Sequence, residues 1–510
     1  MSWSQEFCEA LWSRQLALVF QLRVRQITNE SCDPTYKASS AVMAGCDPIL
    51  KAPRINGASA SPQGRSVTLG GFSIELHGDT SRLLQAIRRG TVVEVWCGLA
   101  GWLESRFQRI ALGQVSQFRR EISGQQFVQV LECRDILSAL RSRITATSTQ
   151  LGLFYDVDTT TTLSAYYTAG DSSLSVTSST LFSAETGGLG ALLVGDFYLY
   201  WSSKGSGTFT IDSPASNRHG TTLADTPSGS DVLEVARLYG HPIDIFRKVL
   251  TSTGNATNGA YDTLPAGWGL ALPQEWLANS EMDLYRARVD SLTSPGFNLD
   301  ILVAEEQADP LSWMLTWLSP CGLVPMVVQG DLSCRALQTS YDNSTNAVRK
   351  TDIVISDDDF TSLSWEAWDS ETPAEFAIAS AHTGSSILTA SSALENDTSL
   401  PGRYRAEFDL SEILFENESA IATEIVERCA ESAGTRIPER ITLTGRLWMA
   451  QLAPLDIVTL NTSRFTGRFT YNADGYAQVP VVVIQVSPDW GRGTCRVVLL
   501  CYPSGGDAFP

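Results

Sequence analysis

One pattern, a long strand, a charged turn and a second strand, is written near both ends of this chain, and it constrains the fold more than any other feature. Near the start, residues 107–120 form one long alternating run and residues 126–135 a second. Near the end, residues 455–460, 479–487 and 495–501 repeat the arrangement with Val, Ile and Leu at most positions. Strands of this length expose unpaired edges unless the sheet closes on itself, so two barrel-like β domains are the economical reading. No catalytic signature accompanies them, which points to a scaffold.

The 510 residues suit three or four domains at the usual ~100–200 residues each. The predicted fold class is mainly β with α+β parts, multidomain. Residues 1–148 are the first barrel-like unit, 149–240 a small all-β insertion, 241–350 a helix-containing α+β linking region, and 351–510 the second barrel-like unit. A net charge of -19 argues against a nucleic-acid ligand, because duplex binding needs clustered Lys and Arg. The short basic pair Arg119-Arg120 reads as a solvated strand end. The acidic balance fits a surface that DNA would pass without sticking or an ordinary soluble surface, since net charge does not say where charge sits.

Local patterns fill in the units. Ser4 caps a helix over residues 4–15, and residues 16–24 alternate as a strand. Residues 28–64 read as a polar loop, residues 66–69 and 72–76 as a hairpin around Gly70-Gly71, and residues 81–89 as a short helix. A strand over 91–99 leads to Gly101, and 135–143 closes the unit as a helix. The insertion carries brief strands at 172–176, 196–201 and 208–211. In the linking region, helical spacing covers 242–252, and 273–283 restarts a helix. Pro310 opens a helix over 311–319 that is apolar nearly all round, and a hairpin follows about Gly330-Asp331. Further strands lie at 353–355, 363–368, 375–379 and 403–408, a polar loop at 382–399, and a helix at 419–434.

Ten cysteines show no CxxC spacing, so zinc and redox motifs are absent. Cys97, Cys133, Cys334 and Cys495 read as buried free thiols. Cys32 and Cys46 lie in a polar loop where a disulfide, a metal ligand or two reduced thiols all stay open. His77, His219, His241 and His382 form no zinc motif. Glu305-Glu306 and Asp357-Asp358-Asp359 are the densest acids; a solvated turn is the reading of the second. Trp313 and Trp317 share one helix face, so with Leu318 they are the packing or trimer-interface candidates. Trp365 and Trp368 fall on opposite faces of a strand. No apolar run approaches the roughly 20 residues of a membrane helix, and no leader peptide is evident. No cofactor or metal is implied, and a chain made in the cytoplasm is expected.

The order of elements resembles the central hub proteins of bacteriophage tail tips and baseplates, a family shared with gene-transfer agents. The resemblance rests on Gly113 within a strand, the charged turn 119–124, Asp135 closing the partner strand, and the Leu-rich 136–140. It is carried further by the apolar helix and hairpin of 309–337, and by Leu452, Pro454, Asp456, Val458 and Thr459 within 442–460. The sequence departs at Leu455, where the family tends to have Gly, so the turn before that strand is expected to differ. The resemblance implies a non-enzymatic homotrimer joining a sixfold tail tube to a threefold tip, resident in the virion. It also implies a closed channel that opens for DNA ejection, with a distal tail protein ring, the tape-measure protein and tail fibre or tip proteins as partners. The rival readings are a receptor- or glycan-binding adhesin using residues 158–238, and a cell-wall hydrolase using Glu305 or Asp358.

Overall fold

The computed structural model describes residues 3–13, 17–25, 34–43, 46–49, 51–56, 59–60, 67–68, 70–77, 87, 91–123, 126–141, 160–180, 182, 190–212, 221–251, 270, 272–290, 298–303, 309–319, 321–337, 348–367, 375–380, 387–391, 405–410, 413–415, 439–464 and 476–501. The fold is multidomain and mainly β.

Helix α1 (Gln5–Leu11) is capped by the Ser4 hydroxyl, which accepts from the Phe7 amide. The first unit then runs through β1 (Leu18–Arg25), β2 (Pro34–Ser39), β3 (Asp47–Pro48) and β4 (Arg54–Asn56). A short ribbon of β5 (Ser59–Ala60) and β6 (Val67–Thr68) precedes β7 (Gly71–His77), β8 (Val92–Leu99), β9 (Gln108–Ser123) and β10 (Gln126–Asp135). The sheet order is β3-β2-β1-β8-β9-β10-β7-β4, and a bridge between Ile49 and Leu76 ties its β3 end back to β7. Val93, Val95 and Cys97 point into the curl while Glu94 and Trp96 alternate to its outside.

Two sequence expectations change here. The polar loop 28–64 holds short strands, because a sheet that curls needs them to occupy its edges. The hairpin predicted at 66–76 does not exist: β6 pairs with β5, and β7 pairs with β10 and β4. The helix expected at 81–89 lies outside the described residues apart from Ile87, and the segment after Asp135 is a 3-10 helix, Ile136–Arg141.

The insertion consists of β11 (Thr160–Thr162), β12 (Ser173–Ser175), β13 (Gly190–Val194), β14 (Phe197–Lys204), β15 (Thr208–Ile211) and β16 (Asp231–Gly240). Trp201, Phe209 and Leu174 centre its core. The long β16 carries this sheet onward by pairing with β17 (Leu299–Val303).

The linking region adds α2 (Pro242–Thr251), α3 (Asn279–Asp290) and α4 (Pro310–Leu318), then the hairpin β18 (Leu323–Val328) and β19 (Asp331–Ala336). The restart predicted at 273–283 is a 3-10 turn, Gln274–Trp276, followed by α3. Gln329 and Gly330 take φ of 51° and 82°, the positive pair that a two-residue hairpin turn of matching twist demands. Nearly every hairpin residue is buried. Leu323, Leu332 and Cys334 meet the helices, while Val324, Met326 and Val328 meet the second barrel.

The second unit begins with β20 (Arg349–Ser356) and β21 (Phe360–Ala367). A three-stranded sheet of β22 (Glu375–Ser380), β23 (Ile387–Ser391) and β24 (Arg405–Leu410) follows, in the order β23-β22-β24, so the loop predicted at 382–399 contains a strand. Next, β25 (Ile413–Phe415) pairs with β17. The barrel is completed by β26 (Glu439–Arg446), β27 (Ile457–Thr462), β28 (Tyr476–Asp489) and β29 (Thr494–Cys501). The helix expected at 419–434 lies outside the described residues.

Its sheet order is β20-β27-β28-β29-β26-β21. β20 lies parallel to β27 and β21 antiparallel to β26, so both run the same way round the barrel. They act as one strand bent at residues 357–359, and that bend joins the two ends of the sheet. The acids form the turn read from the sequence, and two of its three carboxylates also have structural partners. Asp359 is buried, accepting from the Ser356 amide at 2.9 Å and the Trp448 indole at 3.0 Å. Asp357 accepts from the Ser463 amide and hydroxyl, which leaves Asp358 as the exposed member.

Five strands of each unit have the same spatial order and the same antiparallel sense: β8-β9-β10-β7-β4 and β27-β28-β29-β26-β21. The likeness extends to a bulge. Val115 faces Cys133 and Gln117 faces Glu132, leaving Ser116 extra; Val483 faces Leu499 and Gln485 faces Val498, leaving Ile484 extra. Gly113 is required by a close approach, since a Cβ there would lie 2.2 Å from the Arg134 carbonyl oxygen.

Leu455 takes a φ of +70°, the left-handed conformation that favours glycine, so the Leu backbone bears strain at this turn. The residue stays because its side chain, 1% exposed, fills the contact between hairpin and second barrel. Leu455→Ala loses that packing and keeps the strain; Leu455→Gly loses it and relieves about 1 kcal/mol. Both variants should be less stable than the parent in urea unfolding, with Gly the milder. A larger loss for Gly than for Ala would mean that the turn carries no strain.

Candidate assembly site between the two barrels

The barrels share one hydrophobic core, which runs from Leu22, Ile74 and Val95 of the first to Trp448, Val481 and Val497 of the second. Helix α1 helps to bridge them. Trp3 stands edge-on to Trp490 with ring centroids 6.0 Å apart, and the Trp12 ring stacks on Trp448 at 4.1 Å. The β5 ribbon reaches from the first unit to pair Ser59 with Gln485 of β28.

A polar clasp on the hairpin fixes the arrangement. Asp331 and Arg335 lie four residues apart on β19, so period-two alternation puts them on one face. Asp331 takes the first barrel through Arg109, whose Nε lies 3.0 Å from Oδ1. Arg109 also donates to Glu94 at 2.9 Å and to the Glu275 carbonyl at 2.8 Å, and Arg25 joins Glu94 to the Glu275 carboxylate. Burial would lower the Arg109 pKa, but Asp331 and Glu94 more than offset it and hold it above its usual value.

Arg335 takes the second barrel. It donates to Asp456 at 3.0 Å and to the Pro454 carbonyl at 2.6 Å, and it pairs with Glu281 of α3. Asp456 further accepts from Lys350 and from the Ala453 amide, both at 2.8 Å. Burial pushes the Asp456 carboxyl up, yet Lys350 and Arg335 outweigh it and hold it below the ordinary carboxylate range. Turn residues complete the join: the Trp3 amide donates to the Gln329 side chain, which donates to the Gln451 carbonyl.

Where the parts meet, a cavity of about 90 Å³ is left, walled by Trp3, Phe72, Leu112, Val328, Ala453 and Trp490, with Asp135 in its lining. Ligand pockets usually measure roughly 300–1,000 Å³, so this space has the scale of a few waters. Asp135 accepts from the Leu137 amide at 2.9 Å, capping the 3-10 turn. Burial pushes its carboxyl up to about 6, because the backbone amides compensate only in part. A carboxyl raised on folding adds stability below its unfolded pKa and loses it as pH climbs through the folded one. Asp135→Asn should therefore gain stability between about pH 4 and pH 7, approaching roughly 2–3 kcal/mol. Urea midpoints measured across that range test this; an unchanging gap between variant and parent would show that ionisation at 135 is not disfavoured.

The residues singled out from sequence fall in different places. Trp317 and Leu318 are buried within the single chain, against α2, α3 and the hairpin. Trp313 is half-buried, its ring edge-on to Trp317 at 5.6 Å, while Ser312 and Thr316 of the same helix are exposed, so α4 is not covered all round. Trp365 is half-buried. Cys97, Cys133, Cys334 and Cys495 are buried free thiols, and Cys46 is a free, half-buried thiol. His241 is buried, its Nδ1 accepting from the Ile243 amide. Cys32, Trp368, Glu305, Glu306, His219 and His382 lie outside the described residues. Among the described residues, no group of three His, Cys, Asp or Glu could hold a metal ion, and no helix is long and apolar enough to cross a membrane.

Sequence reasoning found Asp135 and Asp456 as motif members and missed Arg109, Glu94, Asp331 and Arg335 as a clasp. A charged residue inside an otherwise apolar strand was the available signal, at Arg335 within residues 331–337.

No family model matches the sequence, and no curated protein matches it. Among solved structures, the chain is similar to the tail protein from Neisseria meningitidis, with 9% identity and a TM-score of 0.39 over 94% of this chain and 96% of that one. It is similar to the 43 kDa tail protein of prophage MuSo2 from Shewanella oneidensis, with 9% identity and a TM-score of 0.37 over 96% and 100%. It is also similar to the lidded Francisella PdpA-VgrG complex, with 8% identity and a TM-score of 0.34 over 98% of this chain and 55% of that one. Likenesses of this order carry no functional weight, so function has to be read from the chain's own residues and geometry.

Proposed function

We propose that this chain is a structural component of a bacteriophage tail baseplate, and within it the trimeric hub that joins a sixfold tube to a threefold tip. The observation that supports this reading is the internal repeat: two units with five strands in the same order, the same bulge, one shared core and a buried clasp between them. A chain that holds two like barrels side by side presents six like barrels when three copies gather. That number matches a sixfold ring while the true symmetry stays threefold. The clasp is what makes the adaptor rigid, because hinged barrels would not keep the spacing.

The hub performs no catalysis in this reading; its mechanism is geometric. Its partners are a distal tail ring, a tape-measure protein and fibre or tip proteins, and its lumen passes DNA without specific binding. Trp313, half-exposed on α4, remains the candidate among the three named residues for a contact between copies. Mass measurement of the native protein in solution tests the proposal. Three chains of 55.4 kDa are expected, alone or upon adding a ring partner; a lone chain under every condition would rule it out.

A further inference from the structure

β9 is longer than the strand beside it. Its pairing with β8 stops at Gln114, with one more hydrogen bond from the Val115 amide to the Thr91 carbonyl. Beyond that point β9 pairs only with β10, so among the described residues 117–123 keep one bare edge. At about 3.3 Å per residue this edge is some 20 Å long, enough for a whole added strand. Charged Arg119, Arg120 and Glu121 keep such an edge soluble. The tip carries the opposite signal: Ile122 and Phe127, directly paired across the strands, are 70% and 63% exposed.

The second barrel shows what belongs there. By strand order and bulge position, β28 is the counterpart of β9 and Gln485 the counterpart of Gln117. β28 likewise outruns its neighbour, its last bonds on that side running from the Val483 amide to the Asp456 carbonyl and from the Leu455 amide to the Val483 carbonyl. Its extension is not bare, because Ser59 of the β5 ribbon pairs with Gln485. That ribbon leaves the first unit between β4 and β7. The matching place in the second unit, between β21 and β26, holds β25, which pairs with β17 of the same chain, and the sheet β23-β22-β24, whose outer strands each have one strand neighbour among the described residues.

We propose that residues 117–123 of β9 accept a strand from a second copy of this chain, donated by the excursion between β21 and β26. The first barrel gives its excursion to the second barrel within the chain, and the second gives its own to the first barrel of the next copy. Repeated head to tail, the exchange makes a heterologous contact that closes into a ring. Main-chain bonds supply the affinity, as in other strand additions, and the apolar tip gains cover. This rests on the trimeric reading above but assigns the joint.

Amide hydrogen exchange on the full chain, diluted and assembled, tests it. Gln485 should be protected in both states, whereas residues 117–123 should slow by about tenfold or more only on assembly. A trimer in which 117–123 exchange as fast as in the free chain overturns the inference and leaves the hub reading standing. A chain that never assembles removes both. Replacing residues 375–410 by a short Gly-Ser linker should abolish the protection at 117–123 and spare that at Gln485. Protection persisting at 117–123 in that variant overturns the donor assignment.

Discussion

Arg335→Ala is expected to lower stability by about 3–5 kcal/mol, among the largest single effects in the chain. The reason is the charge left behind. Asp456 is 2% exposed and would keep only Lys350 and the Ala453 amide, while Glu281 would lose its partner. The buried pair is not itself a large source of stability, because taking two ions out of water offsets most of their attraction. Arg335→Met combined with Asp456→Leu should therefore recover a good part of the loss. A fall in the urea midpoint measures both, and a double variant as unstable as the single one would show that the cost lies in packing.

The same cluster sets an acid limit. With the Asp456 carboxyl held low in the folded chain, its contribution is complete above the unfolded value near 4 and disappears as pH falls through the folded one. Asp135 acts oppositely, losing stability as pH rises toward 6. The two carboxyls differ because Asp456 has two cations beside it, whereas Asp135 has backbone amides alone.

Trp317→Ala should cost about 3–5 kcal/mol, whereas Trp313→Ala, one turn away, should cost about 1 kcal/mol. Trp317 is 1% exposed in a core that gathers α2, α3, α4 and the hairpin, so truncation opens a void the rigid hairpin cannot fill. Trp313 is half-buried and loses mainly an edge-on ring contact. Thermal midpoints of the two variants separate these cases. Equal losses would mean that Trp313 is buried in solution, as it would be in an assembled ring.

Strand positions and their alternation were legible in the sequence, because a period of two over long Val- and Ile-rich runs has no competing reading. The hairpin about Gly330 and the capped helix at Pro310 were legible for a similar reason: local chemistry selects them without help. Pairing partners were not. The Gly70-Gly71 signal suggested a local hairpin, yet Gly71 pairs with Asn56 and Arg134, because barrel closure rewards distant partners over near ones. The acids 357–359 read as a turn and are one, but that this turn links the two end strands of the second sheet was not legible.

The linear order of residues thus determined that two ends of this protein carry the same strand phrase, and that its middle is partly helical. Only the tertiary structure decided that the ends share a core, that Arg109, Asp331, Arg335 and Asp456 meet across it, and that Leu455 takes the conformation of a glycine. Local propensity acts between neighbours in the chain, whereas burial and charge pairing act between neighbours in space, and the contacts that hold these barrels together join residues more than a hundred positions apart.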